Sequence, residues 1–377
     1  MEQQLLIIII SFLIGCSSGI VMHRADFCIA GMFRDLFLFR HSPLLRSLVL
    51  AIAASMLLFE IARLSGLLSY QLPSSLYGQP SLTNLLGGTL FGIGMVLAGG
   101  CVVGTLYKLG AGSLPSMFAL AGLIIGSTLY AEFHPLWKQL TIATRLHESA
   151  TLWQLLKLPP TTIFVLLLTV LCGLLLRWQV RGQLVRPNVI KGYLQPRSAA
   201  LLLALFGLCS FALTGMPIGI STSYAKVGAF VEQLSVPEHV AKLGYFQGRG
   251  FEYVSPLSGQ TLTAGAGPFW DGLSVVQFPL IFGIISGSCG SALLMKKFQF
   301  RLQLPTAQLL SALIGGTLMG LASRMTPACN VWHLLGGLPL LSLQSLLFTL
   351  GLLPGAWLGT MILTRFVLPS ASVKGVK

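Results

Sequence analysis

Residues 87–101 read GGTLFGIGMVLAGGC, and residues 315–329 read GGTLMGLASRMTPAC. The two stretches align without a gap at a constant offset of 228 residues, and Cys101 falls on Cys329. A weaker copy lies upstream. GCSSGIVMHRADFC (15–28) resembles LCSFALTGMPIGIS (208–221), with Cys16 over Cys209 and Cys28 over Ser221. Internal repeats of this kind describe the architecture before any single helix does.

The surroundings of these stretches decide the solvent. Of 377 residues, 54% are apolar and 9% charged, against about 25% charged in an ordinary soluble domain. Mean hydropathy is +0.81. Apolar stretches of roughly 17–25 residues cross a hydrocarbon core as helices. Nine are present, at 4–22, 47–70, 82–106, 113–130, 159–178, 198–216, 273–295, 306–322 and 341–366. The short alternating strands of a membrane barrel are missing from the pattern. The first span has neither a basic head nor an A-x-A site, so it reads as a retained helix and not a signal peptide. The expected fold is thus an all-α membrane protein. Two apolar pieces, 27–39 and 217–231, are too short to cross; such segments are tolerated at membrane depth only inside protein or along a cavity.

The net charge of +14 invites a nucleic-acid reading, but its distribution points to orientation. Alternating the nine spans places 16 of the 24 basic residues on one side, among them Arg24, Arg46, Arg177, Arg181, Arg186, Lys191, Arg197, Lys374 and Lys377. By the positive-inside rule that side is cytoplasmic, with the N-terminus outside and the C-terminus inside. The repeats then run in opposite directions, with 159–178 as the odd helix. This divides a single membrane domain into a first repeat (1–135), a connecting helix and loops (136–197) and a second, inverted repeat (198–377). Inverted repeats around broken helices are the pattern of secondary transporters, whose site lies near the midplane.

Seven cysteines occur, with no C-x-x-C pair and no Cys/His set at zinc spacing, so neither a redox motif nor a metal or other cofactor is expected. Cys16, Cys172 and Cys209 sit in aliphatic helices and read as small hydrophobes. Cys28, Cys101, Cys289 and Cys329 sit among Gly, Ala, Ser, Pro or Asp, where helices break. Gly-Gly before Cys101 and Thr326-Pro327 before Cys329 suit the start of a half-helix. Its free N–H groups and dipole favour an anion. A thiol adds a weak, polarizable donor matched to a soft atom such as sulfur. In apolar surroundings it is inert as a nucleophile, which favours contact over chemistry.

RADFCIAGMFRD, GGCVVGTLYKLGAG and GLASRMTPACN, followed by GAWLG at 355–359, resemble the signature segments of the YeeE/YedE family of bacterial inner-membrane sulfur-compound transporters. The resemblance extends from Cys28 to Gly359. It implies nine membrane helices plus short re-entrant helices from both faces, pseudo-two-fold inverted symmetry and an hourglass narrowing to a waist. It implies thiosulfate as substrate, passed by transient S–H hydrogen bonds from Cys28, Cys101 and Cys329. It also implies a small cytoplasmic sulfur-carrier partner of the TusA type. Gly100, Arg324 and Asn330 complete the candidate substrate-binding set, with Ser221, Cys289 and His333 as further candidates. TPACNVWH departs from the family's usual third segment at Trp332 and His333, which leaves a selenium compound or another reduced sulfur anion open.

Other residues carry expectations of their own. A charge at Arg324, in an apolar stretch, is a functional hypothesis by default. Glu60 and Arg63, three apart, read as an ion pair on one helix face. Asp26 and Asp35 are expected to pair locally with Arg24 and Arg34, with proton coupling as the alternative. His333 could titrate as a gate. Lys226, Lys242 and Arg249 could make an outer funnel attractive to anions. SGQTLTAGAG (258–267) lacks the Lys-Ser/Thr of a phosphate loop. A membrane thiol-disulfide enzyme would want paired cysteines near water, and a channel for a neutral solute would not need three thiols. The contacts outside the chain are therefore a small sulfur anion and membrane lipid, with no nucleic acid.

Overall fold

A computed structural model describes residues 2–40, 43–68, 78–185, 192–248, 250–257 and 259–368. Arg186, Lys191, Arg249, Ser258, Lys374 and Lys377, and the last two residues of the 47–70 span, lie outside these. The elements in order are α1 (Glu2–Ala25), α2 (Ile29–Phe39), α3 (Pro43–Leu64), α4 (Leu82–Leu97), α5 (Val102–Gly110), α6 (Leu114–Glu132), α7 (His134–Ala143), α8 (Leu152–Leu156) and α9 (Pro160–Val180). Then come α10 (Pro196–Thr214), α11 (Ser221–Ser235), α12 (Pro237–Lys242), α13 (Gly244–Gln247), β1 (Phe251–Val254), β2 (Thr261–Ala264), α14 (Gly272–Leu294), α15 (Thr306–Met325), α16 (Asn330–Trp332) and α17 (Leu343–Ile362). Alpha-helix α16 runs on into a π-helical turn at His333–Gly337. Among the described residues nine helical segments are long and apolar enough to cross a membrane. The protein is an all-α, multi-pass membrane protein.

Each expected span falls on one of those segments, but 82–106 is two helices. Gly99 takes φ +69° and its neighbour Gly100 donates to the Met95 carbonyl at 3.1 Å, a Schellman closure that ends α4. Cys101 then starts α5. The described residues also include one antiparallel hairpin, β1 with β2, which is where most of the glycine-rich 258–267 stretch goes.

Helix pairs α1·α14, α4·α17 and α6·α15 meet along glycines. A Cβ at Gly19 would overlap the Ile284 carbonyl, one at Gly88 that of Phe348, and one at Gly316 that of Ala119. In return, a Cβ at Gly287 would overlap Cys16, one at Gly355 Thr89, and one at Gly126 Thr317. Membrane helices associate through such small-residue seams because lipid supplies no hydrophobic drive between them. The GGTL of each repeat thus does one job: Gly88 seats α4 on α17, and Gly316 seats α15 on α6. Contacts α1·α14 and α3·α10, α11·α6 and α2·α17, and α2·α4 and α11·α15 form matching pairs when the halves are exchanged. Alpha-helix α9 packs chiefly on α3.

Alpha-helices α12 and α13 fold over the end of α6. His239 Nε2 lies 2.7 Å from Glu132 Oε1. That hydrogen bond raises the His239 pKa above its ordinary value. A raised histidine stabilises the contact at low pH and loses that contribution as pH rises through its folded pKa. The surface pair is weak, so the expected effect is small. Protection of residues 236–248 from hydrogen exchange, compared with a His239→Gln variant at each pH, should be about two- to fivefold greater at pH 6 and equal at pH 8.5. An equal difference at both values would exclude the ion pair.

Candidate functional site

Four short helices begin at buried positions near one another, and each start is set by sequence. Cys28, with extended backbone, precedes α2; Cys101 precedes α5; Cys329 precedes α16; Ile220 precedes α11. Thiols therefore occupy the N-cap position of three of the four. The Cys101 sulfur accepts from the Gly104 N–H at 3.3 Å. Backbone N–H groups of Trp332, Val331 and Ile220 face the Cys329 sulfur, so Ile220 links the start of α11 to the α16 thiol. All three cysteines are buried and none is bridged.

The Cys28 and Cys101 thiols are neighbours. Both lie over Gly104: a Cβ there would stand 3.2 Å from each sulfur. Cys329 lies near Cys101, and the Tyr224 hydroxyl near both. Around this cluster several buried polar atoms have no hydrogen-bond partner among the described residues: both side-chain atoms of Asn330, Thr105 Oγ1 and Tyr224 Oη. Buried polar groups are normally satisfied, so the amide of Asn330, next in the chain to Cys329, stands out among the described residues.

Arg324 is buried at the end of α15. Its Nη2 donates to Ser221 Oγ at 2.5 Å, and its Nη1 donates to Thr222 Oγ1 at 2.8 Å and Tyr245 Oη at 3.5 Å. A cleft of about 70 Å³ opens beside those hydroxyls, lined by Ser221, Thr222, Gln277, Pro327, Ala328 and Trp332. Gly219 is required under it, since a Cβ there would come 2.8 Å from the Trp332 ring. On the far side of the thiols, Tyr107 donates to Asp26 Oδ1 at 3.2 Å and Lys108 Nζ donates to the Gly99 carbonyl.

The structure brings together Cys28, Cys101 and Cys329 with Gly100 and Asn330, and sets Arg324 and Ser221 at the adjoining cleft. Two candidates do not join them. Cys289 lies in α14, where that helix crosses α5 at Gly110. Both nitrogens of His333 are occupied, Nδ1 with Ser345 Oγ at 2.9 Å and Nε2 with the Thr326 carbonyl at 3.0 Å, and the ring stacks on Phe348 at 4.2 Å. It fastens the π-helical turn to α17.

Other expectations resolve in the same way. Glu60 and Arg63 form the expected ion pair, extended to Thr161. Asp35 pairs with Arg34 at 2.7 Å, but Asp26 takes the Tyr107 hydroxyl and Arg24 turns to Ser291. Lys226 is not a funnel charge. It is buried and bound to Asp271 at 2.9 Å and to the Phe269 carbonyl at 2.8 Å. Tyr224, Thr105 and Gly104 escaped the sequence reading. Their only signal is position, since Tyr224 falls in a segment too short to cross and the other two follow Cys101 within one turn.

Among the described residues no group of three or more His, Cys, Asp or Glu side chains is placed to hold a metal ion. Residues 24–358 match the family model described as sulphur transport. The chain is 28% identical over 367 residues to thiosulfate transporter TsuA of Spirochaeta thermophila, covering 94% of this chain and 98% of that protein. It is 27% identical over 347 residues to thiosulfate transporter TsuA of Escherichia coli, covering 91% of each.

Proposed function

The chain belongs to the sulphur transport (YeeE/YedE) family, and from that premise we propose that it is an inner-membrane uptake transporter for thiosulfate. Cys28, Cys101 and Cys329 pass the anion through the waist by transient S–H hydrogen bonds, aided by the N–H groups of the short helices they precede. One observation carries the reading: three unbridged thiols stand at the N-cap positions of three short helices, one of them followed by an asparagine whose amide has no hydrogen-bond partner among the described residues. A thiosulfate ion has a soft terminal sulfur for the thiols and hard oxygens for amide and N–H donors. Thiols that are buried and unbridged favour contact over covalent chemistry, and we read the protein as a transporter and not a thiol-disulfide enzyme.

The reading extends to the frame. Residues 1–135 and 198–377 are two inverted repeats joined by 136–197; the exchange pattern of helix contacts supports this. The N-terminus lies outside and the C-terminus in the cytoplasm, supported by the side bearing most of the basic residues. There a small TusA-like carrier takes the delivered sulfur, a partner that rests on the family resemblance alone.

Counterflow of radiolabelled thiosulfate in proteoliposomes tests the proposal. Thiosulfate loaded inside should drive uptake of label with no loss of titratable thiol. Selenium anions and other reduced sulfur anions, added outside, should compete more weakly. Label exchange that consumes thiols, or none at all with folded protein, overturns it.

A further inference from the structure

Among the described residues, buried charges come with a counter-charge, with one exception. Lys226 has Asp271 and Glu60 has Arg63. Arg324, 4% exposed, has only neutral hydroxyls, those of Ser221, Thr222 and Tyr245, and its Nε has no partner among the described residues. A buried guanidinium without an anion is costly. That cost is relieved whenever an anion occupies the adjoining cleft, which Ser221 and Thr222 line. The cleft floor at Ala328 directly precedes Cys329 in the chain.

We propose that Arg324, Ser221 and Thr222 form an oxyanion site distinct from the thiols, which holds sulfate and the sulfonate end of thiosulfate alike, so that sulfate docks but does not pass. Guanidinium and hydroxyl donors suit hard tetrahedral oxygens and do not distinguish the two ions. The thiols do, because only thiosulfate carries a soft sulfur. Recognition is therefore split: charge and shape are read at Arg324, and sulfur at the waist. The transport consequence rests on the thiosulfate reading; the binding consequence does not.

Two measurements on the full chain test it. In proteoliposomes, external sulfate should raise the KM for thiosulfate without changing its maximal rate, and labelled sulfate should not accumulate. In detergent, sulfate should raise the melting temperature above that in chloride at matched ionic strength. The apparent affinity should fall at least about fivefold in a Ser221→Ala/Thr222→Ala double variant, which keeps the arginine and is compared at its own melting temperature in chloride. Arg324→Lys should weaken it similarly, and Cys101→Ser should retain it. Sulfate indistinguishable from chloride, or an unchanged response in the double variant, overturns the site, as does accumulation of labelled sulfate. If thiosulfate is not transported yet the sulfate response and its loss persist, the transport reading fails and the oxyanion site stands.

Discussion

Replacing Gly104 with alanine should lower thiosulfate uptake about tenfold or more while leaving the melting temperature nearly unchanged, because S–H hydrogen bonds weaken steeply once donor and acceptor are displaced. The added methyl carbon would stand 3.2 Å from the sulfurs of both Cys101 and Cys28. Both thiols must turn away from it. Gly104 also lies inside α5, where alanine favours the helix by about 1 kcal/mol over glycine. That gain offsets the crowding, so stability and function separate. Initial uptake rate and thermal unfolding, measured on the same preparation, check this. Full activity would mean that the two sulfurs do not act together.

The second large effect concerns stability. Lys226 and Asp271 are almost wholly buried, and Asp271 also accepts from Gly265 N at 2.8 Å and Ser274 N at 3.0 Å while capping α14. Removing one partner of such a pair leaves a bare buried charge, typically at about 3–5 kcal/mol. Lys226→Met should therefore destabilise the protein by that order, whereas the folded fraction should keep its KM for thiosulfate, since a neutralised lysine attracts no anion. Unfolding in detergent and transport kinetics at low temperature decide both halves. A raised KM with unchanged stability would restore the funnel role expected from sequence.

Why sequence supplied one half of that answer and withheld the other is instructive. The spans, the break before Cys101 and the doubled GGTL motif are local signals: composition, a Gly-Gly pair and an offset. The fates of Lys226, Asp26 and His333 are not local. Asp271 lies 45 residues beyond Lys226, across a hairpin, and Tyr107 lies 81 beyond Asp26. Hydropathy periodicity contains no term for such pairings. For the same reason the cysteines could be sorted by their neighbours in the chain, which separated Cys172 from Cys101. Cys289, with a similar glycine and serine setting, could not be separated until α14 was seen crossing α5. Asn330 was legible only through its neighbour Cys329, and its unpartnered amide only in three dimensions.

The glycine seams have a mechanical corollary. Where α4 meets α17 and α6 meets α15, the carbonyl of one helix occupies the place a methyl would take on the other. A helix locked in that way cannot slide by one residue without driving a bulky side chain into the joint. These two joints are consequently rigid against axial slippage, each clamped by a main-chain oxygen.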